Sequence, residues 1–130
     1  MSEQAMSSHG SFCWNELSTT DDGAAKQFYT ELFGWEYKAG DVAGVSYSEI
    51  MVGGRPVGGV YQMGAEQGGM PSHWMPYVAV DDVDAAAARV ESLGGKVCVP
   101  PTDIPNVGRF CVVNDPTGAS ISLLTMPSPA

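Results

Sequence analysis

Apolar residues recur along this chain with two periods, and the switches between them lay out its elements. Residues 12–19 alternate, with Phe12, Trp14 and Glu16 on one face and Cys13, Asn15 and Leu17 on the other, which predicts a strand. Asp21 or Asp22 then offers a helix N-cap, and Ala25, Phe28, Tyr29, Leu32 and Phe33 follow the spacing of one apolar helical face. Gly34 supplies a left-handed stop. Short strands are predicted over residues 35–39, 45–52 and 57–63, with Gly53-Gly54-Arg55-Pro56 as a hairpin turn. The second half repeats this plan. Residues 74–80 read as a strand, Val83, Ala86, Ala87 and Val90 form a helical face, and Gly94 stops it. Strands follow at 96–99, 108–113 and 119–125, the last two joined by Asp115-Pro116-Thr117-Gly118, a type I turn by composition.

The halves share more than a pattern. Asp21-Asp22 opens a run that closes at Leu32-Phe33-Gly34-Trp35-Glu36-Tyr37, and Asp81-Asp82 opens one that closes at Ser92-Leu93-Gly94-Gly95-Lys96-Val97. At an offset of about 60 residues, Ala25 falls on Ala85, Glu31 on Glu91, Gly34 on Gly94 and Trp14 on Trp74. Such a repeat, present only twice, is too long and too few for a solenoid. The expectation is an α+β fold of two β-α-β-β-β modules, residues 12–63 and 73–126, within a single domain spanning 12–126. Residues 1–11 and 127–130 read as flexible ends, and the Gly-rich stretch 64–72 as the join.

Composition narrows the function. A chain of 130 residues is long enough to bury a sizeable core. Fifteen acidic residues against six basic ones give a net charge of −9, and the cations Lys26, Lys38, Arg55, Arg89, Lys96 and Arg109 stand singly. Nucleic acid and anionic membrane surfaces are therefore not expected partners. The three cysteines, Cys13, Cys98 and Cys111, have no metal or redox spacing, sit in apolar runs and suit a reducing compartment. With no secretory signal pattern and no apolar run of membrane-spanning length, the expected location is cytoplasmic. The doubled glycines form no phosphate loop, and no HExxH or G-x-S-x-G motif is present.

Several segments carry a family resemblance. Phe28-Tyr29…Leu32-Phe33-Gly34-Trp35, Val80-Asp81-Asp82-Val83-Asp84-Ala85-Ala86, Leu93-Gly94-Gly95 and Asp115-Pro116-Thr117-Gly118-Ala119 resemble the vicinal oxygen chelate superfamily of glyoxalase I, bleomycin- and fosfomycin-resistance proteins and extradiol dioxygenases. Trp74-Met75-Pro76-Tyr77, Pro100-Pro101-Thr102-Asp103-Ile104 and Gly108-Arg109-Phe110 are similar to a bacterial glyoxalase-like branch. The resemblance implies a curved mixed sheet around a cleft, homodimerisation, and in metal-dependent members a divalent ion held by His, Glu or Gln. Carried onto this chain, the ligand positions fall on Trp14, Met75 and Ser122, with the fourth near residues 60–62. Indole N–H cannot ligate, thioether is soft and a serine hydroxyl is weak, so the usual metal site is expected to be absent, and glyoxalase I activity with it.

Other residues remain as candidates. Glu16 shares a strand face with Trp14, and a carboxylate on an aromatic face can act as general acid or base; a rim glutamate paired with a cation is the alternative. Trp14, Tyr47, Met75, Tyr77, Arg109, Phe110 and Ser122 are candidate ligand-binding residues, though the aromatic ones equally suit a core. Arg109 either clamps an anionic group or pairs with an acidic neighbour. A displaced metal site can be drawn from Glu16, Glu49 and His73, one His and two carboxylates suited to Mn, Ni, Fe or Zn. Three readings follow: a metal-free protein that binds or transforms a small hydrophobic or aromatic molecule, a metal-dependent lyase, isomerase or dioxygenase, and a non-catalytic interaction protein.

Overall fold

A computed structural model describes residues 8–42, 45–64, 69–105 and 107–126. The elements are β1 (Phe12–Thr19), α1 (Asp22–Phe33), β2 (Glu36–Val42), β3 (Val45–Val52), β4 (Arg55–Gln62), β5 (His73–Ala79), α2 (Val83–Val90), β6 (Lys96–Ile104), β7 (Gly108–Asn114) and β8 (Ser120–Thr125). The β-α-β-β-β order therefore occurs twice, and the fold is α+β. The chain divides into two compact units, one of residues 14–75 and one of residues 76–130 with those before Trp14.

In the first unit the strands lie in the order β2-β3-β4-β1, with β1 parallel to β4 and the other neighbours antiparallel. Asp21 caps α1 by accepting from the Ala24 N–H at 3.0 Å, and Gly34 ends it in the left-handed conformation. Leu17, Ile50 and Val60 form the core, against which Ala25, Tyr29, Trp35 and Tyr37 pack. The apolar face of α1 is wider than that contact. Phe28, Leu32 and Phe33 remain 57%, 58% and 58% exposed, and Phe28 and Phe33 gather instead with Tyr29, Trp35 and Trp74 into an aromatic surface. Tyr29 is its centre, 5.2 Å from Trp35 and 5.6 Å from Trp74 between ring centroids, and its hydroxyl accepts from the Trp74 indole N–H. The β3–β4 turn is only Gly53-Gly54, both at positive φ as a two-residue hairpin requires, so Arg55 and Pro56 belong to β4.

The second unit has the order β5-β8-β7-β6, with β5 parallel to β8. Val83, Cys111 and Val113 form its core, flanked by Val80, Ala87, Val90, Val97, Ile121 and Leu123. Strand β6 runs five residues beyond the expected end, through Pro100 and Pro101. Proline cannot donate to a ladder, but β6 is the last strand in this order and its register shifts twice between Val97 and Thr102. Asp115 closes the β7–β8 turn: its carbonyl accepts from the Gly118 N–H, and its carboxylate accepts from Thr117 and Ala119.

The start of the described chain is anchored rather than loose. Gly10 N–H donates to the Ala79 carbonyl, Ala79 N–H donates to the Ser11 carbonyl, and the His9 ring accepts from the Asp81 N–H. The expected flexible ends otherwise fall on residues 1–7 and 127–130, outside the described residues. No helix among the described residues is long and apolar enough to cross a membrane.

The two copies are not in phase throughout. The N-caps are Asp21 and Asp82, whereas the left-handed stops are Gly34 and Gly94. The helix α2 has 8 residues and its following 3₁₀ turn 3, together one fewer than the 12 of α1. Counted from the helix starts, Trp14 therefore corresponds to Met75, not to Trp74, and Glu16 to Tyr77.

Candidate functional site

Strand alternation decides what the first unit presents away from α1. Leu17, Ile50 and Val60 point toward the helix, so Trp14 and Glu16 of β1, Tyr47 and Glu49 of β3, and Gly59 and Tyr61 of β4 occupy the opposite face. In the ladder Gly59 lies between Glu16 and Glu49, and Tyr47 lies opposite Tyr61. The two tyrosine rings stack at 6.4 Å with an 18° interplanar angle.

Tyr47 is the hub. Its hydroxyl donates to Glu16 Oε2 at 2.9 Å and accepts from the Trp14 indole N–H at 2.8 Å. All three residues are half-buried. Indole can only donate and an ionised carboxylate can only accept, so the direction of this chain is set by chemistry: Trp14 to Tyr47 to Glu16. Glu16 is thus the proton acceptor at its end, and the phenol between can pass its proton to Glu16 as it takes one from a bound acid, the indole serving only to hold the phenol oxygen. Strand alternation already pairs Trp14 with Glu16 on one face; the structure adds Tyr47 to them.

The remaining candidates are distributed differently. In the second unit Cys111, Val113, Ile121 and Leu123 face the α2 side, which leaves Phe110, Val112, Ser122 and Leu124 on the other face, with Tyr77 paired to Ser122. Tyr77 is buried, Phe110 is half-buried, and Ser122 is 0% exposed with no partner for Oγ among the described residues. Met75 is half-buried at the end of the first unit. Arg109 is engaged by carboxylates. Its Nε and Nη2 donate to the Asp84 carboxylate at 2.8 and 3.0 Å, and its Nη1 donates to Asp103 at 3.0 Å. Pairing with acidic neighbours is thus the role the structure gives it, and it ties α2 to β6 and β7. The hydrogen bond from Arg109 holds the Asp84 carboxyl below its ordinary range. Burial pushes the Cys13 and Cys111 thiols up, which makes them poor nucleophiles.

The donor set does not suit a resident metal. Glu16 and Tyr77 both lie on the first strand of their repeat, at matching distances from the N-caps, and pair with Gly59 and Ser122. Gly59 thus holds in the first repeat the ladder place that Ser122 holds in the second, and it carries no side chain. The indole of Trp14, the thioether of Met75 and the hydroxyl of Ser122 are each poor ligands for a divalent ion. Glu16, Glu49 and His73 are not gathered either: no group of three His, Cys, Asp or Glu side chains that could hold a metal occurs among the described residues. The His73 ring donates through Nδ1 to the Pro71 carbonyl at 2.9 Å.

Comparisons with known proteins agree with this architecture. "Putative glyoxylase CFP32" of Mycobacterium tuberculosis is 46% identical over 114 residues, covering 85% of this chain and 43% of that protein. Anthracycline biosynthesis protein DnrV of Streptomyces peucetius is 35% identical over 127 residues, covering 88% of this chain and 46% of that protein. The chain thus spans less than half the length of these relatives. Among solved structures, a methylmalonyl-CoA epimerase of Streptomyces coelicolor superposes with a TM-score of 0.64 at 20% identity, covering 94% of this chain and 100% of that one, which is a likeness of fold. The model of the Glyoxalase/Bleomycin resistance protein/Dioxygenase superfamily matches residues 12–123, and the chain belongs to that superfamily.

Proposed function

We propose that this chain binds a small planar, hydrophobic or aromatic molecule on the Trp14–Tyr47 face, without a metal, and that Glu16 exchanges a proton with it through Tyr47 or directly. The observation that carries this reading is the hydrogen-bonded chain from Trp14 through Tyr47 to Glu16. Aromatic rings supply the apolar contact, and the carboxylate supplies the acid–base group that a hydroxylated or enolisable ligand needs. The likeness to a protein named for anthracycline biosynthesis points toward polycyclic aromatic ligands. A homodimer is part of the proposal, with the exposed Phe28, Leu32, Phe33 and Trp74 as the surface a second copy covers.

The test is calorimetric titration with 1,8-dihydroxyanthraquinone as probe, alongside native mass spectrometry after incubation with Mn, Ni and Zn. Saturable binding that is weakened in Trp14→Leu and Tyr47→Leu, with no ion retained, is the expected result. Binding indifferent to both variants would sink the ligand reading. One ion per chain, lost in Glu16→Ala, would favour a displaced metal site instead. Isomerisation of the hemithioacetal of methylglyoxal and glutathione is not expected.

A further inference from the structure

Gly59 is a glycine inside a strand, where backbone freedom is no advantage and the missing side chain ordinarily weakens packing. It is buried, and unlike Gly53 and Gly54 it does not adopt a positive φ. Its neighbour Gly58 has a separate reason to lack a side chain: a Cβ there would lie 2.5 Å from the Asn15 carbonyl oxygen of β1. At Gly59 the obstruction is Tyr47. A Cβ built on Gly59 would coincide with the hydroxyl and ring of that phenol.

We infer that Gly59 is the positioning residue of this site. It leaves empty the ladder position between Glu16 and Glu49, and Tyr47 reaches in from β3 to fill it. Only from there does the phenol oxygen stand 2.9 Å from Glu16 and 2.8 Å from the Trp14 indole nitrogen. The corresponding position of the second unit is held by the side chain of Ser122. The first unit therefore uses a hydroxyl borrowed from the neighbouring strand where its repeat carries one of its own. Any side chain at 59 expels the phenol and separates Glu16 from its donor. This inference rests on the proposed acid–base role only for its catalytic meaning; the positioning itself rests on the geometry.

The experiment is a cycle of Gly59→Ala, Tyr47→Ala and the double variant, read by the indole ¹H–¹⁵N resonances and by urea unfolding. Trp14→Phe assigns the Trp14 signal against those of Trp35 and Trp74. In Gly59→Ala the Trp14 indole proton is expected to shift upfield and exchange with solvent roughly tenfold or more faster, while the other two indoles stay in place. In the Tyr47→Ala background the same glycine change is expected to move neither the spectrum nor the unfolding midpoint. An unmoved Trp14 resonance in folded Gly59→Ala protein would overturn the inference. So would a double variant less stable than Tyr47→Ala alone, and that comparison stands even if Gly59→Ala by itself does not fold. Failure of the wild-type protein to bind 1,8-dihydroxyanthraquinone would remove the ligand reading and leave these spectroscopic outcomes as they are.

Discussion

Replacing Tyr47 by phenylalanine removes one oxygen and keeps the ring that stacks on Tyr61, so the perturbation falls on the hydrogen bonds of the hydroxyl, those with Glu16 and Trp14 among them. One goes to a carboxylate and the other comes from a neutral indole; such bonds contribute about 1.5–3 and about 1 kcal/mol respectively. Both partners are half-buried, so water replaces part of what is lost. The expected cost of Tyr47→Phe is therefore about 1–2.5 kcal/mol. The decisive quantity is the coupling to Glu16, measured by urea unfolding of Tyr47→Phe, Glu16→Leu and the double variant. Leucine keeps most of the volume of glutamate and accepts nothing, so in that background the Tyr47 change no longer forfeits a bond to Glu16. A coupling of about 1 kcal/mol or more is expected, well beyond the 0.3–0.5 kcal/mol within which independent sites add. Additive costs would refute the view that Tyr47 and Glu16 act as a unit, and with it the proton path proposed for the site.

Three further outcomes follow from other parts of the molecule. The Ser122 hydroxyl is buried without a partner among the described residues, so Ser122→Ala is expected to leave stability unchanged or raise it by up to about 1 kcal/mol; a loss of that size would show that the hydroxyl is hydrogen-bonded. Arg109 depresses the folded-state pKa of Asp84, so the stability this pair adds is present above the ordinary carboxylate range and lost as pH falls below about 4, where the unfolded chain binds the proton more readily. Asp84→Asn should therefore flatten the acid limb of a plot of urea midpoint against pH, and an unchanged limb would remove the pair from the account of acid stability. With Cys98 exposed and Cys13 and Cys111 buried, one thiol should react rapidly with an aromatic disulfide reagent and be missing in Cys98→Ser; a second fast thiol would contradict the burial of Cys13 and Cys111.

Part of this fold is written locally. Asp21, Asp82, Gly34 and Gly94 act through bonds to residues within five positions, so the helices and their limits could be read from the chain. The same local reading misjudged β6, because two consecutive prolines signal a strand end unless the strand lies at the edge of its unit. Arg109 could be assigned either to a ligand or to an acidic neighbour until Asp84 was found opposite its guanidinium, since a residue 25 positions away is invisible to spacing.

By itself, then, the sequence determined the doubled β-α-β-β-β plan, the caps, the apolar faces and the family, because periodicity and turn chemistry act over a few residues. It also placed Trp14 and Glu16 on one strand face, since side chains alternate whatever the strand's neighbours are. Tertiary structure alone decided that Gly59 stands beside Glu16, and that Tyr47 fills the space above it. Those facts depend on the register between β1, β3 and β4, which joins residues 31 and 33 positions apart through single hydrogen bonds. A one-residue slip in that register would turn every one of these side chains to the other face, and no local pattern reports it.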